Sequence, residues 1–155
     1  MRKFILLLVL GAAPSLSAQR GAARSETESR GRPVDSSDVA RVARELAAGR
    51  VVVHGLRFEH GDERIAAASH RALLPLAQAL RGASGAYLVE AHTSGRPDAD
   101  AVSARRAAAV RARLVADGAD PSRLYAAGFG ASRPEREGSA HPSRSTDRIE
   151  ITRLR

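Results

Sequence analysis

Between His92 and Arg106 the chain reads HTSGRPDADAVSARR, a short stretch that collects hydroxyls at Thr93 and Ser94, carboxylates at Asp98 and Asp100, and adjacent guanidiniums at Arg105 and Arg106. This set suits charge-assisted binding better than bond cleavage. Ser94 sits in HTSG, which is not the G-x-S-x-G turn that exposes a nucleophilic serine. The histidines (His54, His60, His70, His92, His141) are scattered, without an H-E-x-x-H or a pair at i,i+4, and no cysteine is present. Gly128-Phe129-Gly130 lacks the rest of a dinucleotide fingerprint and reads as a tight strand exit. No catalytic residue, metal or cofactor is therefore expected.

Arg105 and Arg106 differ in where a helix would put them. At 100° per residue, Ser103, Ala107, Val110 and Leu114 form the stripe that faces a sheet. Arg106 falls at the edge of that stripe, and Arg105 points further out. Arg106 also lies near the helix start, at the end where the preceding strand exits. Its stem can lie along apolar surface and present the planar fork at the strand's rim. The plainer alternative is a snorkelling surface arginine.

These residues need elements to position them. DVARVARELAAG, with Ser37 or Asp38 as cap and Gly49 as stop, predicts a short amphipathic helix through Val39, Val42 and Leu46. Arg50–Phe58 predicts a strand with Val52, His54, Leu56 and Phe58 on one side, where His54 would be a hydrogen-bonded core histidine. Leu73, Leu76, Ala77 and Leu80 predict a helix over Ile65–Arg81 that starts late or bends at Pro75. A strand over Ala86–His92 leads to a helix capped by Asp98 or Asp100 and ended by Gly118. Ser122–Gly130 is a third strand. DRIEITRL, with Ile149 and Ile151 alternating with polar residues, is a half-exposed final strand. The order β-α-β-α-β-β predicts an α/β (α+β) sandwich, a mixed sheet with two helices on one face.

Composition bounds the partners. Arg2 and Lys3 precede FILLLVLGAA (Phe4–Ala13), which is too short to cross a bilayer comfortably, and PSLSAQ follows with small residues. This order predicts a cleaved secretory signal over residues 1–18, cut after Ser17 or Ala18; a buried N-terminal helix or an anchor is the alternative. Residues 19–37 are polar and read as a flexible linker, leaving 38–155 as the folded domain. Loss of the two basic residues lowers the net charge from +8 to +6. Such a chain suits acidic partners such as anionic wall polymers or lipopolysaccharide phosphates. Secretion and an aromatic content of 3% argue against nucleic acid. No later stretch is apolar enough to span a membrane.

Over Arg44–Leu154 the chain resembles the OmpA-like domain, the peptidoglycan-associating module of Gram-negative envelope proteins. GRVVVHGLRFEHGDERI is similar to that family's first strand and Phe-x-x-G segment, LLPLAQAL to its first helix, and VEAHTS to its G-H-T-D strand end. VSARRAAAVRARLVADGADPSRLYAAGFGASRP is similar to its L-S-x-x-R-A helix, strand and G-x-G-x-x-x-P exit, and TDRIEI to N-R-R-V-E-I. The resemblance implies a non-catalytic periplasmic domain that binds peptidoglycan at or near the outer membrane. In such domains an Asp takes the ammonium of the stem-peptide diaminopimelate, and an Arg takes a carboxylate. That arginine corresponds to Arg106, with Thr93 and Arg148 at further site positions, while Asp147 stands where another arginine is usual. Ser94 stands in the aspartate's place. Either Asp98 or Asp100 supplies the carboxylate, or these two only cap the helix and the site has changed. The alternative function is a divergent domain that binds envelope proteins instead of peptidoglycan. A wall hydrolase is a third reading, disfavoured by the lack of an acid/base pair.

Overall fold

The computed structural model describes residues 36–59, 64–93, 95–133 and 147–155. The expected signal segment, almost all of the linker, His60, His141 and Ser94 lie outside the described residues. Within Val34–Arg155, which contacts group as one unit, the elements are α1 (Ser36–Ala47), β1 (Arg50–His54), α2 (Ala67–Gly82), β2 (Tyr87–His92), α3 (Ala99–Ala116), a 3-10 turn (Pro121–Arg123), β3 (Leu124–Gly128) and β4 (Arg148–Arg153).

The helical stripes bury as their spacing requires. Leu73, Leu76, Ala77 and Leu80 of α2 and Ser103, Ala107, Val110 and Leu114 of α3 are all buried. Pro75 is tolerated inside α2, which begins at Ala67, two residues later than the pattern suggests. Gly118 ends α3 with φ 102°, a left-handed turn that glycine adopts without steric cost.

The sheet runs β1-β4-β2-β3, with β4 antiparallel to both neighbours and β2 parallel to β3. The core lies between this sheet and the helices, and includes Val51, Val89, Ala91, Ile149 and Ile151 from the strands. Three helices supply it, not two. The apolar stripe of α1 needs a cover as well, and Val42 and Leu46 find it against α2 and β1.

Two strand expectations are corrected. In β1 the core-facing residues are Val51 and Val53, while Val52 and His54 lie on the opposite face with their partners Glu150 and Arg148. The strand stops at Gly55, whose φ of 73° breaks the alternation, so Leu56 and Phe58 return to the core side. A Phe58–Ile65 bridge then closes the following turn. The second correction concerns β4, whose residues Arg148 to Ile151 are all buried. The strand lies between β1 and β2, so it has no exposed edge, and its polar side chains must be paired where they stand.

Gly128 has a packing role. A Cβ there would fall on the Ala104 nitrogen and Ser103, because α3 crosses β3 at close range. The Gly-x-Gly exit therefore permits helix–strand contact, in keeping with its reading as a tight strand exit.

Candidate ligand-binding site

The C-terminal end of β2 is anchored before any functional side chain is placed. Thr93 N–H donates to the Gly130 carbonyl at 3.0 Å, and Gly130 N–H donates to Ser103 Oγ at 2.9 Å. Ser103 Oγ in turn donates to the Asp100 carbonyl at 2.9 Å. This backbone-to-hydroxyl chain ties Thr93 to the first turns of α3, just before Arg106.

Arg106 then reaches the rim of β2, as the helix geometry predicts. Its guanidinium carbon lies 4.9 Å from the Phe58 ring centroid, and its side chain is only 15% exposed. Nη1 donates to Asp147 Oδ2 at 2.8 Å and approaches Thr93 Oγ1 at 3.3 Å. Thr93 Oγ1 donates to the other carboxylate oxygen, Asp147 Oδ1, at 2.6 Å. Asp147 is the outer member of this triangle, with a side chain 43% exposed. The cleft, walled by Phe58, His92, Arg106, Asp147 and Arg148, has a free volume of about 20 Å³, near that of one water.

Of the residues singled out from the sequence, Thr93 and Arg106 come together. Arg148 lines the cleft, but its buried guanidinium donates to Glu150 Oε1 at 2.6 Å and to the Arg133 carbonyl at 2.9 Å. Asp98 occupies the N-cap position of α3 without a capping bond from its side chain; its carboxylate accepts from Arg96 at 3.0 and 3.2 Å. That hydrogen bond is the main reason its pKa lies below the ordinary value. Asp100 stands exposed in the first turn of α3. The carboxylate on Arg106 is instead that of Asp147, to which the sequence reading gave no role. The available signal was a compensating exchange: an acid is missing at Ser94, and an acid stands at 147 where the resembled domains carry a base.

Behind the cleft, on the sheet face away from the helices, lies a buried charge cluster. Glu150 accepts from Arg50 and Arg148, each at 2.6 Å, and Glu90 accepts from Arg133 at 2.9 Å. Arg133 stacks on Phe129, with its guanidinium carbon 3.7 Å from the ring centroid, and His92 stacks on the same ring at 5.7 Å between centroids. Burial would raise the Glu150 pKa, but the hydrogen bonds and charges of Arg50 and Arg148 outweigh it and hold the carboxyl below its ordinary value. For His92, burial and then the Arg148 charge lower the pKa. These exceed the opposite pull of Glu150, whose Oε1 lies 3.7 Å from Nε2. Among the described residues, no group of acidic and histidine side chains could hold a metal, and no helix is long and apolar enough to cross a membrane.

The family model of the OmpA family matches residues 57–148, more than half of the chain and a span that contains Phe58, Thr93, Arg106 and Asp147. The chain belongs to the OmpA family. The expected resemblance and α+β fold are thus found, with three helices on a four-stranded mixed sheet. The cell wall anchor of the T6SS from Pseudomonas aeruginosa is 27% identical to this OmpA-family chain, covering 75% of it and 96% of the anchor, with a TM-score of 0.56. The peptidoglycan-associated lipoprotein from Burkholderia pseudomallei shares the fold at 21% identity and a TM-score of 0.52, over 70% of this chain and 92% of the lipoprotein. The periplasmic domain of Helicobacter pylori MotB does so at 17% and 0.53, over 66% and 70%. No curated protein matches the sequence.

Proposed function

We propose that this OmpA-family chain is a non-catalytic module of the cell envelope that holds peptidoglycan non-covalently, with Arg106 binding a carboxylate of a diaminopimelate-type stem peptide. The observation that carries the reading is the seat of Arg106. Its guanidinium is stacked on Phe58, largely shielded from water, and already arranged around a carboxylate. A charge-assisted hydrogen bond in such a place is stronger and less screened than one on an open surface. Thr93 would add its hydroxyl at the rim. Arg148, committed to Glu150, would hold the cleft wall. The names of two similar structures, a cell wall anchor and a peptidoglycan-associated lipoprotein, support the same ligand class.

The proposal includes a periplasmic location, reached through a signal over residues 1–18, with residues 19–37 as a linker to the domain at 38–155. Mass spectrometry of the mature protein should find the segment through Ser17 or Ala18 removed. An intact Met1–Ala13 would refute that part.

The decisive experiment is co-sedimentation with purified sacculi, with and without free diaminopimelate. Retention that diaminopimelate competes away, and that Arg106→Ala weakens, supports wall binding. A second reading has its own observation: Asp147 already occupies the guanidinium, and the cleft beside it admits about one water. On that reading the domain has become a protein-interaction module, and neither wild type nor variant would be retained.

A further inference from the structure

The carboxylate on Arg106 belongs to the protein itself. We propose that Asp147 is an internal occupant of the Arg106 site that a ligand must exchange for its own carboxylate, and that the displaced Asp147 then binds the ligand's ammonium, so that the cleft selects zwitterionic over purely anionic ends. The inference rests on the carboxylate-binding reading of Arg106 and adds to it a residue that sets specificity.

Position determines which partner moves. Arg106 projects from the second turn of a packed helix and is stacked on Phe58. Asp147 lies one residue before β4, whose ladder with β1 and β2 begins at Arg148, and it is the more exposed partner. Its carboxylate can swing outward without breaking a strand pair or opening the core. Arg106 Nη1 already donates to Asp147 Oδ2 at 2.8 Å, so a ligand carboxylate that takes this donor must displace Asp147 from it.

Charge then determines which ligand gains from the exchange. Being tethered, Asp147 competes at a high effective concentration, so a simple anion offers Arg106 nothing it lacks. An anion that does enter leaves two carboxylates side by side near one guanidinium, which repel each other. A ligand that also carries an ammonium near its carboxylate re-pairs both groups: its carboxylate takes Arg106, and its ammonium takes the displaced Asp147. The matching chemical class is the free amino-acid end of a peptide side chain or terminus, with ammonium and carboxylate on one carbon. Thr93 Oγ1, now bonded to Asp147 Oδ1, keeps the displaced carboxylate beside the cleft.

The test is titration calorimetry of the full chain with two probes, meso-diaminopimelate and pimelate, the latter carrying the same carboxylates without the amino groups. Wild type should prefer diaminopimelate by about tenfold or more, the scale of one charge-assisted pair. Asp147→Asn should bind pimelate about tenfold tighter than wild type does, and its preference should collapse to within about threefold. Asp147→Glu should keep the preference. Equal tightening of both probes in Asp147→Asn would overturn the proposal, since Asp147 would then only block the site. An unchanged preference would overturn it as well. If sacculus retention still depends on Arg106 in either case, only this inference fails. If wild type binds neither probe and no sacculi, the reading it rests on fails with it. Thermal melting of each variant checks that the domain is folded.

Discussion

Thr93 and Asp147, 54 positions apart, share a 2.6 Å hydrogen bond from Oγ1 to Oδ1, and one nitrogen of Arg106 closes the triangle between them. Three elements meet at that point: the end of β2, the second turn of α3 and the entry to β4. The triangle satisfies a largely buried guanidinium while leaving its counter-ion accessible to solvent. In the charge cluster behind it the sign is reversed: the carboxylates of Glu90 and Glu150 are buried, and the accessible partners are Arg133 and Arg50.

Arg106→Ala should lower sacculus or diaminopimelate binding by about tenfold to a hundredfold, the loss of one charge-assisted pair. The fold should survive, because the Asp147 carboxylate, 43% exposed, can be hydrated once Arg106 is gone. Arg105→Ala, which removes the neighbouring charge and not the one on Asp147, should change binding far less. Equal effects in a sedimentation assay would mean that only diffuse positive charge matters.

Asp98→Asn and Asp100→Asn should each leave ligand binding within about twofold of wild type, less than the loss of any charged hydrogen bond would cause. Asp98 is engaged with Arg96 at the exposed start of α3, and the cleft has its carboxylate from Asp147. A loss of binding in either variant comparable to that of Arg106→Ala would assign the ammonium partner to α3 instead.

Gly128→Ala should destabilise the domain by about 1–3 kcal/mol, because the new methyl group meets backbone and not a side chain that can yield. Gly82→Ala at the end of α2 is the matched control. Open space surrounds its Cβ position, so the change should be neutral or stabilising by up to about 1 kcal/mol. Urea midpoints of the two variants would show whether α3 really touches β3.

Acid should weaken the fold in two stages. His92 is held below its ordinary value of 6.5, so above that pH it is neutral in both states and costs nothing. As the pH falls through 6.5 the unfolded chain gains a proton that the folded one declines, and stability drops until the lowered folded value is passed. Glu150 is also held below its ordinary 4.5; its contribution is full above that value and is lost as the pH falls toward its folded value. Denaturation midpoints from about pH 8 down to about pH 5 should therefore fall, and His92→Gln should flatten that first stage. A slope unchanged by the substitution would place the titration elsewhere.

Local periodicity made much of this molecule legible. The stripes Leu73–Leu76–Ala77–Leu80 and Ser103–Ala107–Val110–Leu114 identify two helices and their buried faces, since a helix sets its own phase every few residues. The same phase places Arg106 at the rim of β2 before any tertiary contact is known. What no period reports is which strand lies beside which. Ile149 and Ile151 alternate like a half-exposed strand, but insertion of β4 between β1 and β2 brings Arg50, Arg148 and Glu150 together and buries the polar side as well. The partner of Arg106 was hidden for the same reason. Asp147 follows it by 41 positions, and only the antiparallel register of β4 carries that carboxylate to the end of β2. Sequence alone determined the elements and the cation, because both depend on neighbours along the chain. The counter-ion was decided by the sheet, because strand pairing is a long-range choice made by the whole core.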